Sequence, residues 1–169
     1  MSERPRLAFD PIDEARRQWE LHGWAAEAPA MALVTSVMRL QQIFLARADT
    51  ALRPLGLTFA RYEVLMILFF SRSGRLPLGK MSARLQVHAA SVTNAVDRLV
   101  AQGLVVREPN PADGRGTLAA LTRSGRRLAG RATELMNESV FSDLGVEGAT
   151  LRGLSVGLAG LRKAAGDFE

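Results

Sequence analysis

The sequence predicts a mainly α-helical fold that carries one small β wing. Three observations predict it. Apolar residues recur at steps of three and four through four stretches: Met31 to Leu52, Phe59 to Ser71, Ser124 to Leu144 and Ala149 to Ala165. The segment REPNPADGRGTLAALTRSG, Arg107 to Gly125, sets turn chemistry between two strand-like runs. Just before it come a short helix, a tight connection and an amphipathic helix.

The elements follow in order. Residues 1–9 read as a loose arm. Asp10-Pro11 reads as an N-cap with proline at the first helical position, and Asp13 and Glu14 complement the dipole in the first turn. This helix runs to about Leu21, and Gly23 stops it. Ala25 to Ala30, which contains Pro29, reads as a linker. In the helix from Met31 to about Leu52, the residues Leu33, Val37, Leu40, Ile43, Phe44, Ala48 and Leu52 form the apolar repeat, and Pro54-Leu55-Gly56 ends it. The helix from Phe59 to Ser71 is apolar around most of its circumference, which places it at the centre of the core. Leu76-Pro77 is long enough only for an edge strand. Gly79 to Leu85 forms a short helix with Met81, Leu85 and Ala83 inward, and Gln86-Val87-His88 connects it to a helix from Ala90 to Gln102.

That helix carries an apolar stripe of Val92, Ala95, Val96, Leu99 and Val100, and Gly103 stops it as the C′ residue. Leu104 to Val106 and Thr117 to Leu121 are the strands of the hairpin. A long helix follows from Ser124 to about Leu144. Gly145 to Gly148 breaks the chain before the last helix, whose Leu151, Leu154, Leu158 and Leu161 come close to a coiled-coil seam.

Composition narrows the function. The chain has 169 residues, 47% hydrophobic and 23% charged, with a formal charge of +5. The pI is about 10.9, a field that attracts polyanions. Nearly all the basic residues are arginine, the better phosphate and groove ligand; the lysines are Lys80 and Lys163. There is no cysteine, so thiolate metal sites, disulfides and thiol redox chemistry are excluded. The two histidines, His22 and His88, have no second histidine at a metal-ligand spacing, and no glycine loop could cradle a phosphate. We therefore expect no enzyme, metal or cofactor. The apolar run Val64 to Phe70 is too short to span a bilayer, and the N-terminus shows no secretory signal, so a cytoplasmic protein with no membrane partner is expected.

Residues 79–125 read together as helix, turn, helix, strand, wing, strand, an order suited to reading double-stranded DNA. Ser91, Thr93 and Asn94 open the outer face of the second helix, and Arg98 lies one turn further on. These are side chains for major-groove edges. Arg115 at the hairpin tip suits the minor groove. His88 sits in the connecting turn, placed to cap the helix or touch a phosphate. Between Leu104 and Arg131, Arg107, Arg115, Arg123, Arg126, Arg127 and Arg131 stand against Glu108 and Asp113 alone, which concentrates positive charge around the wing. Each residue by itself is ordinary on a solvated surface; it is the ordered set that points to DNA.

The segment from Leu78 to Leu128, LGKMSARLQVHAASVTNAVDRLVAQGLVVREPNPADGRGTLAALTRSGRRL, resembles the winged helix-turn-helix of the MarR (multiple antibiotic resistance regulator) family. SVTNAVDRLVAQGLV resembles its recognition helix, and Asp113 and Arg115 match the Asp-x-Arg of its wing. LTRSG is similar to the start of the helix after the wing, and GLTFARYEVLMIL to the second core helix. Glycines 114 and 116 flank the wing arginine where many members carry Arg or Lys, and Ala89-Ala90 stands where Pro-Thr or Pro-Ser is frequent.

The resemblance implies a three-part organisation. Residues 1–52 and 126–169 would be dimerisation helices, and residues 53–125 the DNA-binding domain of an obligate homodimer reading an inverted repeat. It implies a transcriptional regulator, a repressor released by a small aromatic or anionic effector. It places Phe44, Arg47, Arg61, Tyr62 and Phe69 around the effector, with Trp19 and His22 closing the pocket. The N-terminal helix with Trp19 is similar to that of a urate-responsive subgroup. Glu63 and Ala95 stand at that subgroup's aspartate and arginine positions, and Ala95 cannot hold an anion, so urate is not carried over. The alternative is a ligand-independent architectural or adaptor protein that binds DNA. A cavity between residues 31–70 and the helix after the wing discriminates the two.

Overall fold

A computed structural model describes residues 7–111 and 116–169 of the chain. It divides into two compact units, Met1–Ala46 and Arg47–Glu169. The first holds α1 (Pro11–Leu21) and most of α2 (Ala28–Leu52). The Asp10 carboxylate accepts the Ile12 N–H at 2.9 Å, so the cap falls where the sequence places it. α2 begins at Ala28, three residues before the expected Met31. Pro29 is in the first helical turn, where a missing N–H costs nothing, so the residue read as linker opens the helix. Leu33, Val34, Met38 and Leu40 on α2 are exposed. By length and composition alone, Ala28–Leu55 is apolar enough to cross a bilayer. A reading of uninterrupted apolar runs such as Val64 to Phe70 does not register it.

The second unit continues with a 3-10 turn at Arg53–Leu55, α3 (Phe59–Phe70), β1 (Arg75–Pro77), α4 (Leu78–Leu85) and α5 (Ala89–Ala101). Then come β2 (Val105–Pro109), β3 (Thr117–Leu121), α6 (Arg123–Met136), a π-helical turn at Asn137–Phe141 and α7 (Gly148–Ala164). The three strands form an antiparallel sheet in the order β1-β3-β2, so β1 is an edge strand as expected. Ala119 on β3 faces Leu76 on one side and Arg107 on the other. α3 lies at the centre: Val64, Leu65 and Leu68 are fully buried, and so are Met81, Val92, Val96, Leu99, Val105 and Met136 around them. Ala83, expected inward on α4, is exposed.

The LTRSG motif is a seam between the wing and α6. Thr122 is the N-cap of α6, and its hydroxyl accepts the Gly125 N–H at 2.9 Å. The same hydroxyl shares its proton between the Gly103 and Leu104 carbonyls, at 2.9 and 3.0 Å, and the Thr122 N–H also donates to Leu104 at 3.1 Å. A Cβ at position 125 would stand 2.1 Å from the Leu104 carbonyl oxygen, so only glycine fits.

The helix after the wing ends at Met136 rather than Leu144. Its extension turns through the π-helical segment, and the Arg47 guanidinium donates to the Ser139 and Asp143 carbonyls at 3.0 and 3.1 Å. Ser139 lies in the π-helical turn, where intrahelical partners run out, and Asp143 just beyond its end.

Candidate nucleic-acid interface

α5 is built to show one face. Its buried residues Val92, Ala95, Val96 and Leu99 recur at helical spacing, so Ser91, Thr93, Asn94, Asp97 and Arg98 are left exposed. The preceding turn is tight because Gln86 takes a left-handed conformation, with φ of 53°. His88 is the N-cap of α5, and its Nδ1 accepts the Ala90 N–H at 3.3 Å. An accepting Nδ1 leaves the ring proton on Nε2, available to a partner outside the helix.

A groove of about 560 Å³ runs along this face. Ser91, Asn94 and Arg98 line it from α5, and Thr58, Ala60 and Arg61 from the start of α3. Arg61 is thus beside the outer face of α5, with its Nε donating to Thr58 Oγ1 at 3.2 Å. The family resemblance places it among effector residues. The spacing of its helix marks Arg61 only as a position off the core and does not say which neighbour it meets. The N-terminus of α3 is held by Asp49, whose carboxylate accepts the Phe59 N–H at 2.7 Å. This cap comes from ten residues upstream, and no local pattern announces it.

Arg107 on β2 donates to the Asp97 carboxylate at 2.7 Å. The pair ties the wing strand to α5, and it also occupies a guanidinium expected to meet DNA. Arg98 makes no side-chain hydrogen bond or ion pair among the described residues. Arg115, with Asp113, lies outside the described residues.

A second opening lies between α3 and α6, a cleft of about 550 Å³. Phe59, Met66, Ile67, Phe70, Leu85 and Phe141 supply apolar wall, with Tyr62, Glu63, Arg84 and Thr133 among them. Of the seven residues expected around an effector, Tyr62 lines this cleft. Arg47 is spent on backbone carbonyls. Phe69 carries the Arg126 guanidinium 5.0 Å above its ring. Trp19, His22 and Phe44 belong to the first unit, where the His22 and Trp24 rings stack with centroids 6.2 Å apart. Glu63, read from sequence only as the counterpart of an aspartate, faces the cleft, and burial pushes its carboxyl above the ordinary value.

The helix order, the antiparallel wing and the capped α5 match a known protein family. Residues 55–116 fit the model described as MarR family. A MarR family transcriptional regulator from Streptomyces coelicolor is 50% identical, and its structure superposes over 83% of this chain and 98% of its own with a TM-score of 0.74. This chain belongs to the MarR family. MarR family members are transcriptional regulators and not enzymes. The Multiple antibiotic resistance protein MarR of Escherichia coli is 31% identical over 93 residues, 55% of this chain. The match spans 63% of that curated relative, less than two thirds of its length. A mutant of that protein, solved in complex with operator DNA, shares the fold: TM-score 0.73 at 24% identity, over 80% of this chain and 96% of that one. CouR from Rhodococcus jostii, solved bound to p-coumaroyl-CoA, is 26% identical over 79% of this chain and 91% of its own, with a TM-score of 0.66.

Proposed function

We propose that this MarR family chain is a homodimeric, sequence-specific DNA-binding repressor released by a small aromatic effector. One observation carries the reading: α5 buries a continuous apolar stripe and presents Ser91, Thr93, Asn94 and Arg98 together on its outer face. In a major groove, Arg98 is suited to the O6 and N7 acceptors of guanine and Asn94 to the edge of adenine. The ring N–H of His88, the Arg61 side chain and, on exchange of its Asp97 partner, Arg107 suit phosphates, which fix register without reading sequence. Arg115 takes the minor groove from the wing tip. The complex of E. coli MarR with operator DNA supports this use of the fold.

Residues 53–125 form the DNA-binding domain in this reading, and residues 1–52 and 126–169 the dimerisation helices. Leu33, Val34, Met38 and Leu40 on α2 and Leu154, Val156, Leu158 and Leu161 on α7 leave large side chains in solvent, and a second copy of the chain is what covers them. This also accounts for the apolar length of α2 without a bilayer and agrees with a cytoplasmic regulator.

The cleft between α3 and α6 is the effector site. α3 packs on both α5 and α6, so a molecule between α3 and α6 acts on the support of the recognition helix. It need only prefer a dimer geometry whose recognition helices are mis-spaced for successive major grooves; its differential affinity then sets how far DNA binding falls. That CouR binds p-coumaroyl-CoA supports a ligand-responsive reading. The test is fluorescence anisotropy with a duplex inverted repeat whose half-site centres lie about 10 base pairs, or a multiple of that, apart. Affinity falls steeply with salt and Arg98→Ala relaxes base preference. Equal affinity for the repeat and for scrambled DNA contradicts the reading.

A further inference from the structure

We propose that the α3–α6 cleft selects an aromatic ring bearing a hydrogen-bond donor, a phenol or an aryl amine, which the Glu63 carboxyl receives, over an aromatic carboxylate. The inference rests on the effector reading of the same cleft and names the chemistry it takes.

The wall is apolar and ring-rich: Phe59, Phe70 and Phe141, with Met66, Ile67 and Leu85 between them. Such a wall suits the faces and edges of an aromatic ligand. The polar groups then decide its substituent. Tyr62 Oη and Thr133 Oγ1 are 3.2 Å apart, and Thr133 Oγ1 lies 2.9 Å from the Ala129 carbonyl oxygen. A carbonyl can only accept, so the threonine proton goes to Ala129 and the tyrosine proton to Thr133. Neither hydroxyl keeps a proton for a ligand.

Glu63 is the opposite case. Its carboxyl is half-buried, lines the cleft and has no hydrogen-bond or ion-pair partner among the described residues. A partly desolvated acceptor of that kind is satisfied by an incoming O–H or N–H. A ligand carboxylate would meet the Glu63 charge at close range, where like charges repel. The other charged group of the cleft, Arg84, is on the exposed surface of α4, so an acidic substituent is accommodated there at the rim and not beside Glu63.

Three probes of matched shape separate these effects: p-cresol has a donor, p-toluate an anion, and toluene neither. Each is titrated by calorimetry into the full-length dimer at pH 7, with the Met66 methyl resonance locating the site. p-Cresol is expected to bind about tenfold tighter than toluene or p-toluate, the worth of one hydrogen bond to a charged group. Glu63→Gln keeps an acceptor and removes the charge, so p-toluate should recover to within about threefold of p-cresol. Tighter binding of p-toluate than of p-cresol to the unmodified protein overturns the proposed ligand class and leaves the effector cleft standing. So does an anion penalty untouched by Glu63→Gln. Binding of p-cresol without release of DNA overturns the effector reading and leaves the ligand class standing. Failure of all three probes to shift Met66 overturns both.

Discussion

Gly125→Ala puts one methyl group where the wing meets α6. The added carbon stands 2.1 Å from the Leu104 carbonyl oxygen and 2.9 Å from Leu121 Cδ1. Carbon–oxygen contacts settle near about 3.3 Å, so the strand and the helix start must part by roughly 1 Å. Opening that seam stretches the two hydrogen bonds that Thr122 makes to Leu104, about 1 kcal/mol each, on top of about 1–3 kcal/mol of overpacking. Alanine returns about 1 kcal/mol of helix propensity. The balance is a loss of about 3 kcal/mol, or about 6–12 °C in Tm for a chain of this size. The control is Gly130→Ala, five residues on in the same helix, where a Cβ meets nothing within 4 Å. It should gain up to about 1 kcal/mol. Thermal unfolding of both variants at one protein concentration checks this, since the apparent stability of any self-associating chain depends on concentration. Equal Tm values for the two variants would refute the argument from close approach.

Other outcomes follow from the same contacts. Glu63→Gln should stabilise the protein at pH 7. Burial raises the Glu63 pKa, so the wild-type chain loses stability as pH rises through that value, while below the ordinary carboxylate range the folded and unfolded states are both protonated and the advantage disappears; urea unfolding followed downward from pH 7 reads the difference, which should shrink as the pH falls through and below that range. Asp97→Asn releases Arg107 and removes a negative charge from the outer face of α5, so affinity for non-specific DNA should rise and the salt slope steepen by about one unit, with stability changing by less than about 1 kcal/mol because the pair is exposed. His88→Ala should cost about 1 kcal/mol of stability through loss of the α5 cap, read by chemical denaturation. Sedimentation at micromolar concentration should give twice the chain mass of 18.3 kDa, and Leu154→Glu on α7 should return it to the monomer mass.

Where local chemistry marks an element, the sequence was a sufficient guide. Asp10-Pro11 starts α1, Gly103 with φ of 68° ends α5, and Thr122 caps α6, because each of these acts within a few residues of itself. The stripe of α5 was legible for the same reason: helical spacing assigns Val92, Val96 and Leu99 inward, and that assignment exposes Asn94 and Arg98. Pro29 misled because proline suits both a linker and a first helical turn. The end of α6 was hidden because the side chain that holds the turn after it, Arg47, lies some ninety residues earlier. The interiors of the two openings were legible only in part. Arg61 meets the groove of α5, and Glu63 meets the cleft beside α6, although the two are neighbours on one helix. Which helix a face meets is decided by packing between distant segments, and spacing along one segment carries no record of it.

The central claim is that the outer face of α5 reads DNA in a two-fold arrangement. Selection of bound duplexes from a random pool tests it most directly, run in parallel with the wild-type chain and Arg98→Ala. An enriched inverted repeat is expected, with half-sites spaced by about one helical turn or a multiple, and loss of preference at one symmetric pair of positions in the variant. An unsymmetrical motif, no enriched motif, or one that Arg98→Ala leaves unchanged would contradict it.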